Sequence, residues 1–234
     1  MSKKAFLFPG QGSQYIGMAK DLFDKSVEAK EMIKTADDAL GVNLSFIMFN
    51  GPEEQLKQTE FTQPAIFLHS VILASLIRTL QPEAAAGHSL GEYSALVSAN
   101  AIQFYDAIKL VRTRGKAMQQ AGIDNPGTLA AIVGLEPLKV EELCKEASAV
   151  GIVQCANFNS PGQIVISGSI DGVRKAMELC KANGAKLTKE LVVSGAFHSP
   201  LMQSAKDALL EALVFTSIYD ARFPVYANVT AKPV

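Results

Sequence analysis

A serine flanked at two positions by glycine, Gly87-His88-Ser89-Leu90-Gly91, is the stretch of this sequence with the clearest chemical potential. The G-x-S-x-G spacing suits nucleophilic catalysis when it follows a strand and opens a helix. A sharp strand-to-helix turn then lifts the hydroxyl to the carboxyl edge of a sheet. The glycines permit that turn, and the N–H groups and dipole of the helix start favour a developing negative charge. Chance gives about 0.08 such matches in a chain of this length and composition. A serine nucleophile needs a base, and the chain has three histidines. His69 lies inside the apolar run Ile66–Ile77 and reads as a packed or capped helix residue. His88 precedes Ser89 in an extended segment, so its side chain points the other way. That leaves His198, in Ser194-Gly195-Ala196-Phe197-His198-Ser199-Pro200, as the best base by elimination. It falls at a loop-to-helix junction near the edge where sites of open sheets form, with an ordinary surface histidine as the alternative.

Two further features bear on a developing oxyanion and on a charged substrate. The first predicted strand ends in Pro9-Gly10-Gln11-Gly12-Ser13-Gln14. Tyr15 breaks the G-x-G-x-x-G spacing and no Gly-Lys-Ser/Thr follows, so a phosphate loop is not indicated. A loop there can instead supply a backbone N–H to an acyl oxyanion, with Gln11 and Leu90 as donors. Arg112 and Arg114 lie on a predicted helix. Leu110, Arg114 and Met118 align at helical spacing, so Arg114 borders the apolar face and Arg112 is expected to face outward. An arginine beside a buried face calls for a carboxylate, because an unpaired buried guanidinium is costly. An internal Asp or Glu and a substrate carboxylate satisfy that need equally well.

The elements that must position these residues alternate between strand and helix. Ala5–Phe8 reads as a buried strand and Gly17 to Leu40 as a helix stopped by Gly41. Pro52–Gln58 is a short helical piece and Thr62–Leu80 a long apolar helix with Pro64 in its first turn. Ala84–His88 reads as a strand, and Leu90–Ser98 and Phe104–Gln120 as helices. This alternation favours an α/β fold with a parallel sheet. The turn-rich stretch Gly122–Gly127 marks a boundary. Beyond it come strand Thr128–Val133, helix Pro137–Ala149, strand Ile152–Ala156, turn Asn157–Gly162 and strand Gln163–Ser167. Helix Asp171–Asn183 and strand Ala185–Leu191 complete a ferredoxin-like βαββαβ order. The chain then returns near Val192–Ser194 to a helix at Pro200–Leu213 and a strand at Val225–Asn228. The expected fold is therefore α/β, with a large subdomain over residues 1–123 and 192–234 and an inserted ferredoxin-like subdomain over 124–191.

Composition excludes several classes. Of 234 residues, 48% are hydrophobic and 19% charged, enough for one to two packed domains and too apolar for disorder. Lys+Arg 22 against Asp+Glu 23 gives a net charge of -1, without the basic excess of a nucleic-acid binder. No apolar run reaches the ~20 residues that span a bilayer, and the N-terminal apolar run is too short for a signal peptide. Cys144, Cys155 and Cys180 are an odd count with no C-x-x-C spacing, which suggests free thiols in the cytoplasm rather than disulfides or a metal site.

Taken together, GQGSQ at 10–14, GHSLGEYSALV at 87–97, Arg114-Gly115-Lys116, NFNSPGQ at 157–163 and GAFHSPLM at 195–202 closely resemble the malonyl-CoA:acyl carrier protein transacylases. The match runs in order from residue 5 to about 230. The resemblance implies a hydrolase-like parallel-sheet core with the inserted subdomain. It implies Ser89 as the acylated nucleophile, His198 as its base, and the N–H groups of Gln11 and Leu90 as the oxyanion hole. Arg114 then grips the malonyl carboxylate, which resolves its open partner in favour of the substrate. Phe197, Met118 and Gln11 join it in the substrate site, and Phe197 in GAFH is similar to the malonyl-selective form of this motif. The reaction implied is ping-pong transfer of malonyl from malonyl-CoA to the phosphopantetheine thiol of acyl carrier protein. It needs no cofactor or metal and is expected of a monomer. Family members continue several tens of residues past the position of Val234 and carry there a glutamine whose backbone carbonyl orients the histidine. A chain ending at Val234 would lack that orienter and expose apolar surface.

Two other readings stay open. A serine hydrolase or thioesterase shares the elbow and base, but has no use for Arg114. An inactive carrier-protein-binding fragment is the reading for a chain that ends at Val234. Carrier proteins are acidic, so a basic docking face is expected. Within 172–189, Arg174, Lys175, Lys181, Lys186 and Lys189 oppose only Glu178, either as that face or as a solvated helix surface.

Overall fold

The computed structural model describes residues 3–77 and 79–234. They fall into two compact units, Met1–Lys116 with Leu209–Val234, and Ala117–Ala208. The first unit opens with strand β1 (Ala5–Phe8) and five helices, α1 (Lys20–Lys25), α2 (Val27–Leu40), α3 (Leu44–Asn50), α4 (Glu53–Leu56) and α5 (Thr59–Leu76). The single helix expected over 17–40 is two. Ser26 adopts an extended conformation (φ −126°, ψ 126°), and its hydroxyl accepts the Ala29 N–H at 3.2 Å, so one serine ends α1 and caps α2. Helix α3 was not expected from the sequence pattern. Asn43 caps it, with Oδ1 accepting the Phe46 N–H at 3.0 Å. The long apolar helix expected over Thr62–Leu80 spans Thr59–Leu76, and position 78 lies outside the described residues. Largely apolar and mostly buried, α5 runs through the core, where Phe67, Leu68 and Ile72 meet Ile33, Leu44, Met48 and Ile108.

Strand β2 (Ala84–Gly87), helix α6 (Gly91–Ser98) and helix α7 (Phe104–Asp124) follow, and the division between the units falls within α7. The second unit contains β3 (Thr128–Val133), α8 (Pro137–Ala147), β4 (Val153–Ser160), β5 (Gln163–Gly168), α9 (Ile170–Ala182) and β6 (Leu187–Leu191). Its antiparallel sheet has the order β4-β5-β3-β6, a ferredoxin-like topology. Helices α8 and α9 bury Val140, Leu143, Val173 and Ala176 against Ile132, Ile164 and Ile166. Where a turn was expected over 157–162, β4 continues to Ser160 with two register shifts, and Pro161-Gly162 alone makes the turn. The polar residues Asn157, Asn159 and Ser160 belong to an edge strand, which tolerates such side chains. The compact unit is wider than 124–191. Met118 and Ala121 at the end of α7 join Leu129, Val165, Phe197, Met202 and Ala205 in one apolar cluster, which draws both flanks into it.

After a 3₁₀ turn at Pro200–Met202 comes α10 (Gln203–Val214), and then β7 (Val225–Tyr226) returns the chain to the first unit. β1, β2 and β7 form a parallel sheet with β2 in the centre. The central strand reads Ala-Ala-Ala-Gly. It packs through Ala85 with Phe8, Ala95, Ala99 and Val225, where larger side chains would hold α6 away. Parallel strands end together, so the segments after Phe8, Gly87 and Tyr226 emerge at one edge. No described helix is long and apolar enough to cross a membrane.

Candidate functional site

Ser89 occupies the turn between β2 and α6 with φ 51°, a left-handed conformation that costs a non-glycine residue on the order of 1–3 kcal/mol. The Gly91 N–H donates to the His88 carbonyl at 3.0 Å and the Glu92 N–H to the Ser89 carbonyl at 3.2 Å, so the helix starts directly behind the serine. The turn is tight enough to exclude side chains at both glycines. A Cβ on Gly87 would lie 1.9 Å from the Gly91 carbonyl carbon, and one on Gly91 would lie 2.3 Å from the Phe8 carbonyl oxygen. Leu90 is already helical (φ −53°, ψ −39°), and its side chain is buried in the first unit's core. Asn228, just past β7, clamps the turn: its Oδ1 accepts the Ser89 N–H at 2.7 Å and its Nδ2 donates to the Gly87 carbonyl at 2.6 Å.

Arg114 is buried on α7, 9% exposed. One guanidinium nitrogen donates to Gln63 Oε1 at 2.7 Å and the other to Ser89 Oγ at 2.9 Å. The group lies 5.6 Å from the centre of the Tyr93 ring. Burial pulls the guanidinium below its ordinary pKa, opposed by Tyr93 and Glu92. Burial likewise pushes the Tyr93 hydroxyl up, opposed by Arg114. Among the described residues no carboxylate lies within ion-pair distance of Arg114. Arg112 provides the contrast. It does not face outward as expected: it is 7% exposed, because the start of α5 covers that side of α7. Its Nη2 pairs with Glu60 Oε2 at 2.8 Å, it also donates to the Glu60 carbonyl, and it lies 4.3 Å from the centre of the Phe61 ring. One arginine thus has an internal acid, whereas its neighbour on the same helix has neutral partners.

Gln11 lies in the exposed loop after β1, and its Nε2 donates to Thr59 Oγ1 at 3.4 Å. His88 is exposed and sits against the same loop; a Cβ on Gly10 would be 2.7 Å from its Nδ1. His69 is half-buried on α5, edge-on to Tyr15 at 6.3 Å, and burial lowers its pKa. The first unit therefore gathers Ser89, Leu90 and Arg114, with Gln11 at the same sheet edge. His198, Phe197 and Met118 belong to the second unit. His198 also has a positive φ, 60°, and its carbonyl accepts from Gln154 Nε2 at 3.0 Å. Ser199 closes the turn beside it, donating from Oγ to the Ala196 carbonyl at 2.7 Å and accepting the Leu201 N–H at 3.3 Å. Phe197 and Met118 are buried in the same apolar cluster of the second unit. Among the described residues no three His, Cys, Asp or Glu side chains gather as a metal site requires.

Sequence reasoning missed Asn228, Gln63 and Tyr93. A polar residue just beyond a strand's carboxyl end was the available signal for Asn228. For Gln63 it was the one amide side chain of a largely apolar helix. Tyr93 gave no signal of its own.

The fold and the elbow define an α/β protein with a hydrolase-like core. The chain belongs to the acyl transferase domain family, whose model matches residues 5–234. It is 46% identical over 234 residues to the malonyl CoA-acyl carrier protein transacylase of Bacillus subtilis (strain 168), covering 99% of this chain and 74% of that protein. The structure of the malonyl CoA-acyl carrier protein transacylase from Coxiella burnetii superposes with a TM-score of 0.94 at 40% identity, covering 100% of this chain and 75% of that one. A malonyl-transacylase in complex with its type II PKS acyl-carrier protein matches with a TM-score of 0.93 at 42% identity, covering 100% of this chain and 76% of that one. The chain thus spans about three quarters of these relatives.

Proposed function

We propose that the protein moves a malonyl group from malonyl-CoA to the phosphopantetheine thiol of acyl carrier protein, with Ser89 as the covalent carrier. The observation that carries this reading is Arg114: a buried guanidinium that donates to the neutral Gln63 amide and Ser89 hydroxyl and, among the described residues, has no carboxylate within ion-pair distance. Such a group is a receptor for a carboxylate, and a bidentate pair would satisfy it far better than a hydroxyl and an amide. An acyl group with a free carboxylate at its far end places its thioester over the serine when that carboxylate meets the arginine. The curated relatives carry the transacylase name for malonyl, and one solved relative is held with its carrier protein.

In the first half-reaction Ser89 Oγ attacks the thioester carbonyl while His198 takes the hydroxyl proton. The N–H groups of Gln11 and Leu90 stabilise the oxyanion. The carbon–sulfur bond breaks, and the coenzyme A thiolate leaves with the proton from His198. In the second half His198 takes the proton of the carrier thiol, the thiolate attacks the malonyl ester, and Ser89 departs as the alcohol. Phe197 and Met118 shape the acyl site. On this reading residues 124–191 act as the inserted subdomain of the transferase. Three free cysteines, together with these substrates, fit an enzyme of the cytoplasm.

Intact-protein mass spectrometry after mixing with malonyl-CoA tests the reading. A gain of one malonyl group is expected, discharged by carrier protein and absent from Ser89→Ala. Persistent labelling of that variant would overturn the serine assignment.

A further inference from the structure

We propose that Asn228 is a positioning residue for acyl transfer, its side-chain amide fixing the strained turn that presents Ser89. The inference rests on Ser89 as the nucleophile. Asn228 holds the turn from both sides of the serine, accepting the Ser89 N–H at 2.7 Å and donating to the Gly87 carbonyl at 2.6 Å. An amide flip would set donor against donor and acceptor against acceptor, so one orientation alone serves both bonds. Asn228 is held in turn: its backbone N–H donates at 3.1 Å to Glu92 Oε2, from the first turn of α6. The chain beyond it folds back, with the Ala227 N–H on the Lys232 carbonyl at 3.0 Å and the Ala231 N–H on the Ala227 carbonyl at 2.9 Å. The end of β7, the start of α6 and the end of β2 are thereby joined through one residue.

The consequence is chemical as well as structural. Ser89 has φ 51°, and its N–H and the Gly87 carbonyl face Asn228 instead of entering the α6 hydrogen-bond ladder. Without the amide the turn is free to relax, and Oγ moves with it. The Leu90 N–H is the next group along the chain and shifts with the same turn. Attack geometry tolerates little displacement, whereas Arg114, although it also reaches Ser89 Oγ, is placed by α7 and held by Gln63 independently of Asn228. The loss should therefore fall on the chemical step and spare substrate binding.

Single-turnover acylation by malonyl-CoA, read by intact mass, tests this on Asn228→Ala and Asn228→Asp alongside wild type and Ser89→Ala, with circular dichroism giving the folded fraction. Asn228→Ala is expected to acylate about 10- to 100-fold more slowly at saturation, with half-saturation within about threefold of wild type. Asn228→Asp keeps the shape and the acceptor for Ser89 but has no donor for Gly87, so it should also be slower, whereas a residue that only fills space would leave it at the wild-type rate. If Asn228→Ala does not fold, Asn228→Asp decides. Wild-type rates per folded molecule, or a loss confined to half-saturation, overturn the positioning role and leave Ser89 in place. A wild type that acquires no malonyl group, or a Ser89→Ala variant that acquires one, overturns both.

Discussion

Ser89 stands where three parallel strands end and a helix begins, whereas His198 stands on the loop that follows an edge strand of the antiparallel sheet. Around the serine, backbone meets backbone: neither Gly87 nor Gly91 has room for a Cβ, and Asn228 ties the turn from a third segment. Around the histidine, backbone packs on backbone only a few residues upstream, where a Cβ on Gly122 would lie 2.4 Å from the Ser194 carbonyl oxygen; the turn at His198 itself is shaped by side chains, with Ser199 closing it, Gln154 holding the His198 carbonyl and Phe197 anchoring the loop in an apolar cluster. Both residues have positive φ, so both turns are strained, but they are restrained by different means. A site held by backbone packing fails with the fold. A site held by side chains can lose function while the fold survives.

Gly91→Ala gives the largest expected effect. Its Cβ would lie 2.3 Å from the Phe8 carbonyl oxygen, and a backbone atom cannot swing aside as a side-chain tip can. Parting β1 from α6 should cost at least about 3 kcal/mol, which lowers Tm by roughly 6–12 °C in a chain of this size. Calorimetry with acylation measured in parallel should show both lost. A variant with wild-type Tm would mean that the elbow is far more pliant than its packing implies.

His198→Ala should do the reverse. Tm is expected to stay within a few degrees of wild type, while acylation slows by roughly 10²–10⁴-fold, the range for loss of a general base. An unchanged rate would point to another base and remove the second half of the comparison.

Arg114→Ala comes next. With no carboxylate paired to it among the described residues, its loss should fall on the substrate: about 10- to 100-fold in kcat/KM for malonyl-CoA, with acetyl-CoA far less affected. Arg114→Lys should recover only a fraction, because one ammonium cannot match a bidentate fork. Equal losses on malonyl and acetyl would mean that Arg114 supports the elbow through Ser89 and Gln63 instead of selecting the acyl group.

The two halves also differ in how far the sequence revealed them. G-x-S-x-G announces its own geometry, since the glycines that exclude side chains are the motif itself. The βαββαβ order of the second unit was legible because each strand and helix carries its own apolar period, and that order implies the sheet. The break at Ser26 was hidden because serine suits a helix surface as well as a cap. The extension of β4 to Ser160 was hidden because an edge strand carries the same Asn and Ser as a turn. Arg112 and Arg114 looked alike apart from their faces. What separates them, Glu60 for one and Gln63 for the other, is set by α5, about 50 residues earlier, and no local pattern encodes it. Asn228 looks in the sequence like the end of a strand, and its partner lies 139 residues away.

The smallest expected effect sharpens the comparison most. Gln154 Nε2 donates to the His198 carbonyl at 3.0 Å across an exposed surface, where water can replace it. Gln154→Ala should therefore slow acylation by no more than about fivefold and shift Tm by roughly 2 °C or less. Asn228→Ala, at a shorter pair of bonds around a turn with no room to adjust, should lose more. The order of the two rates is the test, because both variants remove an amide that touches backbone next to a residue proposed for the chemistry. If Gln154→Ala proves as damaging as Asn228→Ala, the histidine loop is held as tightly as the elbow. The division into a backbone-built nucleophile and a side-chain-held base then no longer describes the molecule.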